Sequence, residues 1–418
     1  MNIYFIGIGG IGVSALAKYY AAKGNRVTGS DLVQSEITDA LKKLGITICR
    51  KSDFLHVDQV IYSPAVPKTN PELKKARKLG IPCLSYPEAL GELTKQHYTI
   101  AVSGTHGKST TCAMIGLILA KAGLDPTVIV GTKVKEFGPS TNSGSNCRVG
   151  KSKYLVIEAD EHFASFLHYW PKIIVITNIE PDHLDYYKTF KNLKKTFEKF
   201  VSHLPKEGIL IKNENIKKKN EKLQSKIKNI LKVPGEHNED NALAALAVAR
   251  TLKIPDKVSF KALSEFKGTW RRFEIFNLKK PVSYTLVSDY GHHPTEIKAT
   301  IQAARQKWPK KKIWLVYQPH QYQRTHYLFK EFVQTLSKIP VDKLILLDIY
   351  DVPGREGEGF RKKVSSKKLA SKIEGALYVK NAKQYLTKNL QGGEIVIVMG
   401  AGDIYNLIVQ LVNSGKKN

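Results

Sequence analysis

The sequence predicts an α/β protein of three domains, and three observations point there. Apolar, β-rich runs of strand length alternate along the whole chain with helix-length segments. Most of those strands end in a glycine turn or a polar cluster. Two glycine turns, at residues 7–12 and 104–107, lead straight into helices. A length of 418 residues suits two or three domains with full cores. The alternation divides into units at 1–95, 96–266 and 267–418, with no internal repeat and no low-complexity linker.

In the first unit, residues 2–6 read as a strand and Gly7-Ile8-Gly9-Gly10-Ile11-Gly12 as a turn into a helix ending near residue 21. A second strand, 26–29, ends at Ser30-Asp31. G-x-G-x-x-G inside a βαβ unit, with an acid roughly 20 positions on, is the dinucleotide-binding fingerprint and makes this unit Rossmann-like. The physics requires only a diphosphate on a helix N-terminus and a ribose near the acid, so NAD and other nucleotide diphosphates both satisfy it. A strand at 59–63 and a helix at 72–79 continue the alternation.

The second unit carries the most informative stretch. Residues 98–102 form a strand, and Gly104, Thr105, His106 and Gly107 make the turn. Lys108-Ser109-Thr110 then opens a helix reaching about residue 122, with Gly123 as its stop. Such a turn aims several backbone N–H groups and the positive end of the helix dipole at one point, where a phosphate fits. Lys108 adds a charge for the outer phosphates, and the Ser109 hydroxyl can ligate Mg²⁺. Val102 stands where the usual P-loop has its first glycine, so this is a shorter relative of that loop in a P-loop-type ATPase domain.

Strands at 153–157 and 172–177 end in Glu158-Ala159-Asp160-Glu161 and in Asn178-Ile179-Glu180-Pro181-Asp182-His183. One acid at a strand end is ordinarily solvated surface. Two such clusters beside a phosphate loop supply the hard oxygen ligands that Mg²⁺ prefers. Being loop-mounted, Lys108 is expected to be removable with loss of turnover but little loss of fold. The lysine-rich segment 216–232 reads as a solvated helix and loop, and His237-Asn238-Glu239-Asp240-Asn241 as the cap of a helix at 242–252.

The third unit is again Rossmann-like. Val287-Ser288-Asp289-Tyr290-Gly291-His292-His293-Pro294 leads into a helix through residue 304. The strand 312–317 runs into Gln318-Pro319-His320-Gln321-Tyr322-Gln323-Arg324. Strands at 343–348 and 394–399 follow, the latter before Gly400-Ala401-Gly402-Asp403.

Composition narrows the function. The net charge of +29 is spread as lysine over helical faces and loops, without an aromatic-interleaved basic stripe, so no specific nucleic-acid partner is expected. No apolar run approaches the roughly 18–20 residues of a membrane helix, which excludes membrane insertion. Residues 1–7 lack a basic n-region and cleavage site. Cys49, Cys83, Cys112 and Cys147 have no C-x-x-C spacing, which argues against zinc and disulfides and fits a cytoplasmic protein.

In order along the chain stand Gly7-Ile8-Gly9-Gly10-Ile11-Gly12, Gly104-Thr105-His106-Gly107-Lys108-Ser109-Thr110, Glu158-Ala159-Asp160-Glu161, and Thr177-Asn178 through Asp182-His183. His237-Asn238 with Asn241, Arg271-Arg272-Phe273, Asp289-Tyr290-Gly291-His292-His293-Pro294 and Met399-Gly400-Ala401-Gly402-Asp403-Ile404 follow. This ordered set resembles the Mur ligases of peptidoglycan synthesis over essentially the whole chain.

The resemblance implies an ATP-dependent acid–amino-acid ligase that joins L-alanine to the lactyl carboxylate of UDP-N-acetylmuramate through an acyl phosphate. It puts the UDP-sugar, rather than NAD, on Gly9, Gly10, Ile11, Gly12 and Asp31, with His106. ATP falls to Gly104, Thr105, His106, Gly107, Lys108, Ser109 and Thr110, with His237, Asn241, Arg272 and Asp289. Mg²⁺ falls to Ser109, Glu158 and His183. Lys108, His183 and Arg272 become catalytic, and Tyr290, His292, His320 and Arg324 line the amino-acid and acyl-phosphate end. A monomer or homodimer is implied.

Two other functions are weighed. A recycling ligase attaching a whole peptide to UDP-N-acetylmuramate would share the ATP-binding physics, and the 289–293 and 399–403 runs favour the alanine-type ligase over it. A nicotinamide-dependent oxidoreductase would leave Lys108, Glu158 and His183 without work. The chain also departs from the family pattern. Ser109 stands for Thr, His162-Phe163 for Ser-Asp, and Gln321 for Arg, while the 210–234 connection is short. Glu198 falls near the place of the carbamylated lysine of sister ligases and could supply a carboxylate directly.

Overall fold

The computed structural model describes residues 1–49, 54–138, 144–217, 221–352 and 358–415. The chain forms two compact units, residues 1–231 with 239–269, and residues 232–238 with 270–418. The fold is α/β, as predicted, with three sheets among the described residues.

The first unit holds two of them. Strands β1 (Asn2–Ile6), β2 (Arg26–Ser30), β3 (Thr47–Ile48), β4 (Gln59–Tyr62) and β5 (Cys83–Ser85) form a parallel sheet in the order β3-β2-β1-β4-β5. The order reverses beside β1, so the glycine turn that follows β1 lies at the switch point where open α/β sheets bind ligands. The helix Ile11–Ala22 starts from that turn.

The next sheet contains β6 (Tyr98–Ser103), β7 (Thr127–Val134), β8 (Ser145–Arg148), β9 (Tyr154–Glu158), β10 (Ile173–Ile176) and β11 (Ile209–Lys212), in the order β11-β10-β6-β9-β7-β8. Only β8 runs antiparallel. Because β6 lies between β9 and β10, the segments leaving all three strands emerge side by side. That adjacency gathers residues 104–108, 158–161 and 177–183. The helix Lys108–Lys121 is buried almost all round, by the sheet on one side and the helix Asp256–Glu265 on the other, which is why its sequence shows little amphipathic bias.

One apolar core runs through both sheets, from Phe5, Leu16 and Leu90 to Phe166, Phe197 and Phe200. Polar ties join them as well. Lys18 Nζ donates to Asn146 Oδ1 at 2.7 Å, and Asn146 Nδ2 donates to Ser14 Oγ and to the Ile11 carbonyl.

In the other unit, β12 (Glu274–Leu278), β13 (Tyr284–Asp289), β14 (Ile313–Tyr317), β15 (Lys343–Leu346), β16 (Ala376–Tyr378) and β17 (Ile395–Met399) follow the order β12-β13-β17-β14-β15-β16, with β12 antiparallel at the edge. Two apolar clusters cover its faces, around Leu315 and Ile397 on one side and Val316 and Val398 on the other.

Two expectations need correction. His237 and Asn241 do not precede their helix but lie inside it. That helix runs Glu236–Thr251, since Pro234-Gly235 already breaks the chain ahead of it. The 216–232 segment is also not wholly solvated. The helix Glu221–Ile230 buries Ile227, and Lys226 lies over the Phe260 ring at 4.0 Å. Lys218 and Lys219 fall outside the described residues.

Candidate active site

The phosphate turn is shaped by two glycines that no other residue could replace. Gly104 has φ +129°, and a Cβ there would collide with Thr177 Oγ1 and the Asn178 carbonyl. Gly107 has φ +83°, and a Cβ would strike Asn241 Oδ1. Asn241 therefore sits against the turn. The Thr105 and His106 amides donate to the Asn178 carbonyl and to Asn178 Oδ1, at 3.0 and 2.9 Å, and His106 Nε2 lies 3.6 Å from Glu180. Residues 177–180 thus clamp the turn.

Lys108 points into a charged pocket. Its Nζ donates to Glu161 Oε2 at 2.8 Å and to the Gly104 carbonyl at 2.7 Å, and Asp160 is 3.6 Å away. Glu161 is only 1% exposed. Burial pushes its carboxyl up to about 8, against the pull of Lys108. Burial also works to lower the Lys108 ammonium, but Glu161, Asp160 and Glu158 together hold it above its ordinary value, so it stays charged.

Ser109 Oγ donates to Glu158 Oε1 at 2.9 Å, and Gly131 N donates to Glu158 Oε2 at 2.7 Å. His183 Nε2 lies 3.7 Å from Glu161 and 3.8 Å from Asp182. Asp160, Glu161 and His183 bring one ligand atom each within 4.8 Å of one another, a donor set that suits a hard divalent cation. The residues expected around Mg²⁺ therefore fall into two pairings, Ser109 with Glu158 and His183 with Glu161.

Glu161 and Asp160 lie against Lys108 and His183, and neither has a role assigned from the sequence. Their only signal was to continue the polar cluster past the end of β9, where strand alternation no longer says which way a side chain points. Glu198 is exposed on the helix Phe190–Val201.

On the first glycine turn, Asp31 Oδ2 accepts from Gly9 N at 2.7 Å, and its Oδ1 accepts from Val33 N at 3.0 Å. Gly10 caps the helix, and a Cβ on Gly12 would press into the Tyr86 ring.

In the other unit, the loops after β13, β17 and β14 meet. Asp289 is buried, and its two oxygens accept from Gly291 N and Phe273 N at 2.8 and 2.9 Å. Burial raises its carboxyl. Tyr290 lies under both Arg271 and Arg272, at 4.8 and 5.2 Å. Arg272 pairs with Glu296 at 3.3 Å, and Glu296 also accepts from His292 N. The rings of His292 and His320 are 5.6 Å apart, and Arg324 Nη1 is 3.2 Å from His320 Nδ1. Tyr290, His292, His320 and Arg324 are thus brought together. His237 lies within residues 232–238 of this same unit.

A charged lysine on a glycine turn, faced by carboxylates at the ends of parallel strands, defines a phosphate-loop nucleotide enzyme. Three family models cover the chain: the Mur ligase family catalytic domain matches residues 2–98, the Mur ligase middle domain 102–231, and the Mur ligase glutamate ligase domain 271–402. UDP-N-acetylmuramate–L-alanine ligase of Clostridium acetobutylicum is 40% identical over 97% of this chain and 96% of its own. That of Acetivibrio thermocellus is 37% identical over 97% and 94%.

Among solved structures, the UDP-N-acetylmuramate–alanine ligase of Thermotoga maritima superposes with a TM-score of 0.78, at 28% identity and 99% of both chains. A murein peptide ligase from Psychrobacter arcticus, 21% identical over 100% and 99%, shares the fold with a TM-score of 0.70. The chain belongs to the Mur ligase family. It is an ATP-dependent ligase of peptidoglycan synthesis.

Proposed function

We propose that this chain joins L-alanine to the lactyl carboxylate of UDP-N-acetylmuramate at the expense of ATP. The near-full-length similarity to ligases of that name carries the reading. A carboxylate resists attack by an amine, so it must first be activated. A carboxylate oxygen attacks the γ-phosphorus of ATP, and ADP leaves. The amine nitrogen of alanine then attacks the acyl carbon, and phosphate departs as the amide forms.

In this reading the phosphates lie on the turn 104–107 and the N-terminus of the helix Lys108–Lys121, whose first backbone amides point out of the helix, and Lys108 leaves Glu161 to neutralise charge on the transferring group. Asn241 and His237 serve the adenine end, Arg272 and Asp289 the rest of ATP. The first turn, at Gly9, Gly10, Ile11 and Gly12 with Asp31, takes the UDP diphosphate on a helix N-terminus, with His106 beyond it. Tyr290, His292, His320 and Arg324 form the amino-acid and acyl-phosphate end. Ser109, Glu158 and His183 would hold Mg²⁺, which when bound supplies further positive charge to the phosphates. The domain borders at 95 and 266 separate UDP-sugar, ATP and amino-acid functions.

The experiment is phosphate release from Mg-ATP with UDP-N-acetylmuramate, screened over single amino acids and L-alanine-containing peptides. Release that requires both substrates and is strongest with L-alanine is expected. A preference for glycine, serine or a peptide would move the specificity, and Gln321 would be the first residue to change. No release with any acceptor would overturn the reading.

A further inference from the structure

Where the family pattern has Ser-Asp, this chain has His162-Phe163, and the two rings are stacked. The His162 ring lies 4.0 Å from Phe163, at 22°, and 4.2 Å from His183, at 16°. Three rings therefore form one column, with the half-exposed Phe163 outermost and His183 against Glu161. Neighbouring residues do not ordinarily lay their rings face to face. Here the backbone forces it, because Phe163 and Ala164 both take left-handed angles, φ 54°. His183, at the other end of the column, is left-handed too, φ 51°. Such conformations in non-glycine residues persist only where the surroundings over-determine them, and they gather at functional sites.

The column is also braced from the side. Phe163 meets Tyr186 edge-on at 5.4 Å, Tyr186 meets Tyr187 at 4.9 Å, and the Tyr187 hydroxyl donates to the Glu161 carbonyl. The chain of contacts thus closes on the residue that precedes His162. It locks the short helix Leu184–Tyr187 to the segment His162–His168, and His183 caps that helix.

We infer that His162 is a positioning residue: stacked between Phe163 and His183, it fixes the plane of the His183 imidazole beside Asp160 and Glu161 so that His183 can ligate a divalent cation. The inference rests on the metal role proposed above for His183. What the stacking takes from His162 is its flat face. Hydrogen-bonded outer partners change metal affinity by about 10–100-fold when removed, and a stacked ring is expected at the lower end of that range.

The test is Mn²⁺ binding to the enzyme–ADP complex, followed by electron paramagnetic resonance, together with calorimetric ADP affinity and melting temperature. His162→Ser is expected to weaken Mn²⁺ about tenfold with ADP affinity retained. His162→Phe, which keeps a face and loses the nitrogens, should restore binding to within about twofold of the parent. Phe163→Ala trims the half-exposed end of the column and should weaken Mn²⁺ by a smaller factor, with the melting temperature reporting any loss of the bracing through Tyr186. Unchanged Mn²⁺ affinity in both His162→Ser and Phe163→Ala would overturn the inference, as would failure of His162→Phe to rescue. His183→Ala separates the two levels: if it too leaves Mn²⁺ binding intact, the metal role of His183 is wrong and the column falls with it.

Discussion

Lys108 and Glu161 show how a residue can be chemically legible and structurally misjudged. The glycine turn marks Lys108 as a phosphate-site lysine, and nothing in the sequence says that it has a partner. In the fold it is 12% exposed and paired with a carboxylate that is 1% exposed. Removing one member of a buried pair costs up to about 3–5 kcal/mol where the other stays charged; Glu161, already pushed up to about 8, can take a proton instead, which keeps the loss below that range. Lys108→Ala should therefore lose turnover by at least about a hundredfold and also lose stability, contrary to the expectation of an unaffected fold. Adding Glu161→Gln removes the stranded carboxylate. Urea melts of the two single variants and the double should show the double recovering part of the loss, whereas strict additivity would mean that the pair is not coupled.

Elements are held by similar local chemistry, one case of which makes a clean test. Asp342 lies just before β15. Its Oδ2 accepts from Ile313 N, at the start of β14, at 2.8 Å, and from Arg305 Nη2, near the end of the helix Pro294–Lys307, at 3.1 Å. Burial pushes its carboxyl up, but these two donors more than offset it and leave it below its ordinary value of 3.8. The folded state thus holds the Asp342 proton less tightly than the unfolded chain does. Its contribution is full above the unfolded value and disappears as pH falls through the lower folded one. The group is 44% exposed, so solvent screens it. Asp342→Asn should lower stability at neutral pH by no more than about 1 kcal/mol, and the gap to the parent should close in acid, as pH falls below the ordinary carboxyl value and through the lowered folded one. A gap that persists in acid melts would show that the carboxylate charge is not what matters.

At the scale of the molecule, the distribution of cores sets the pattern of unfolding. The first two sheets share one apolar core, and the remaining sheet has cores of its own. Calorimetry should resolve two transitions rather than three. Phe200, buried and stacked on Phe166 at 4.5 Å, belongs to the shared core, and Ile397 to the other unit. Phe200→Ala, a loss of about 3–5 kcal/mol, and Ile397→Ala, about 2–5 kcal/mol, should each lower a different transition. If either variant moved both equally, the chain would unfold as one body. No helix among the described residues is long and apolar enough to cross a membrane, so nothing in the helices complicates such a measurement.

The sequence by itself determined the α/β class, the strands that lead into the polar and glycine turns, and both glycine turns, because strand runs, glycine punctuation and helix starts are local properties. It did not mark strands such as Thr127–Val134 or Ser145–Arg148. Strand ends were placed within a residue or two, and the helix at 236–251 was begun too late because five polar residues look like a cap when their neighbours are not visible. Tertiary structure alone decided which polar groups meet. The order β10-β6-β9 brings the ends of strands some 50 and 70 residues apart in sequence beside Lys108. It buries Glu161 rather than leaving it in water, and stacks His162 on His183. Those outcomes depend on contacts between distant segments, which leave no period and no motif in the chain that makes them.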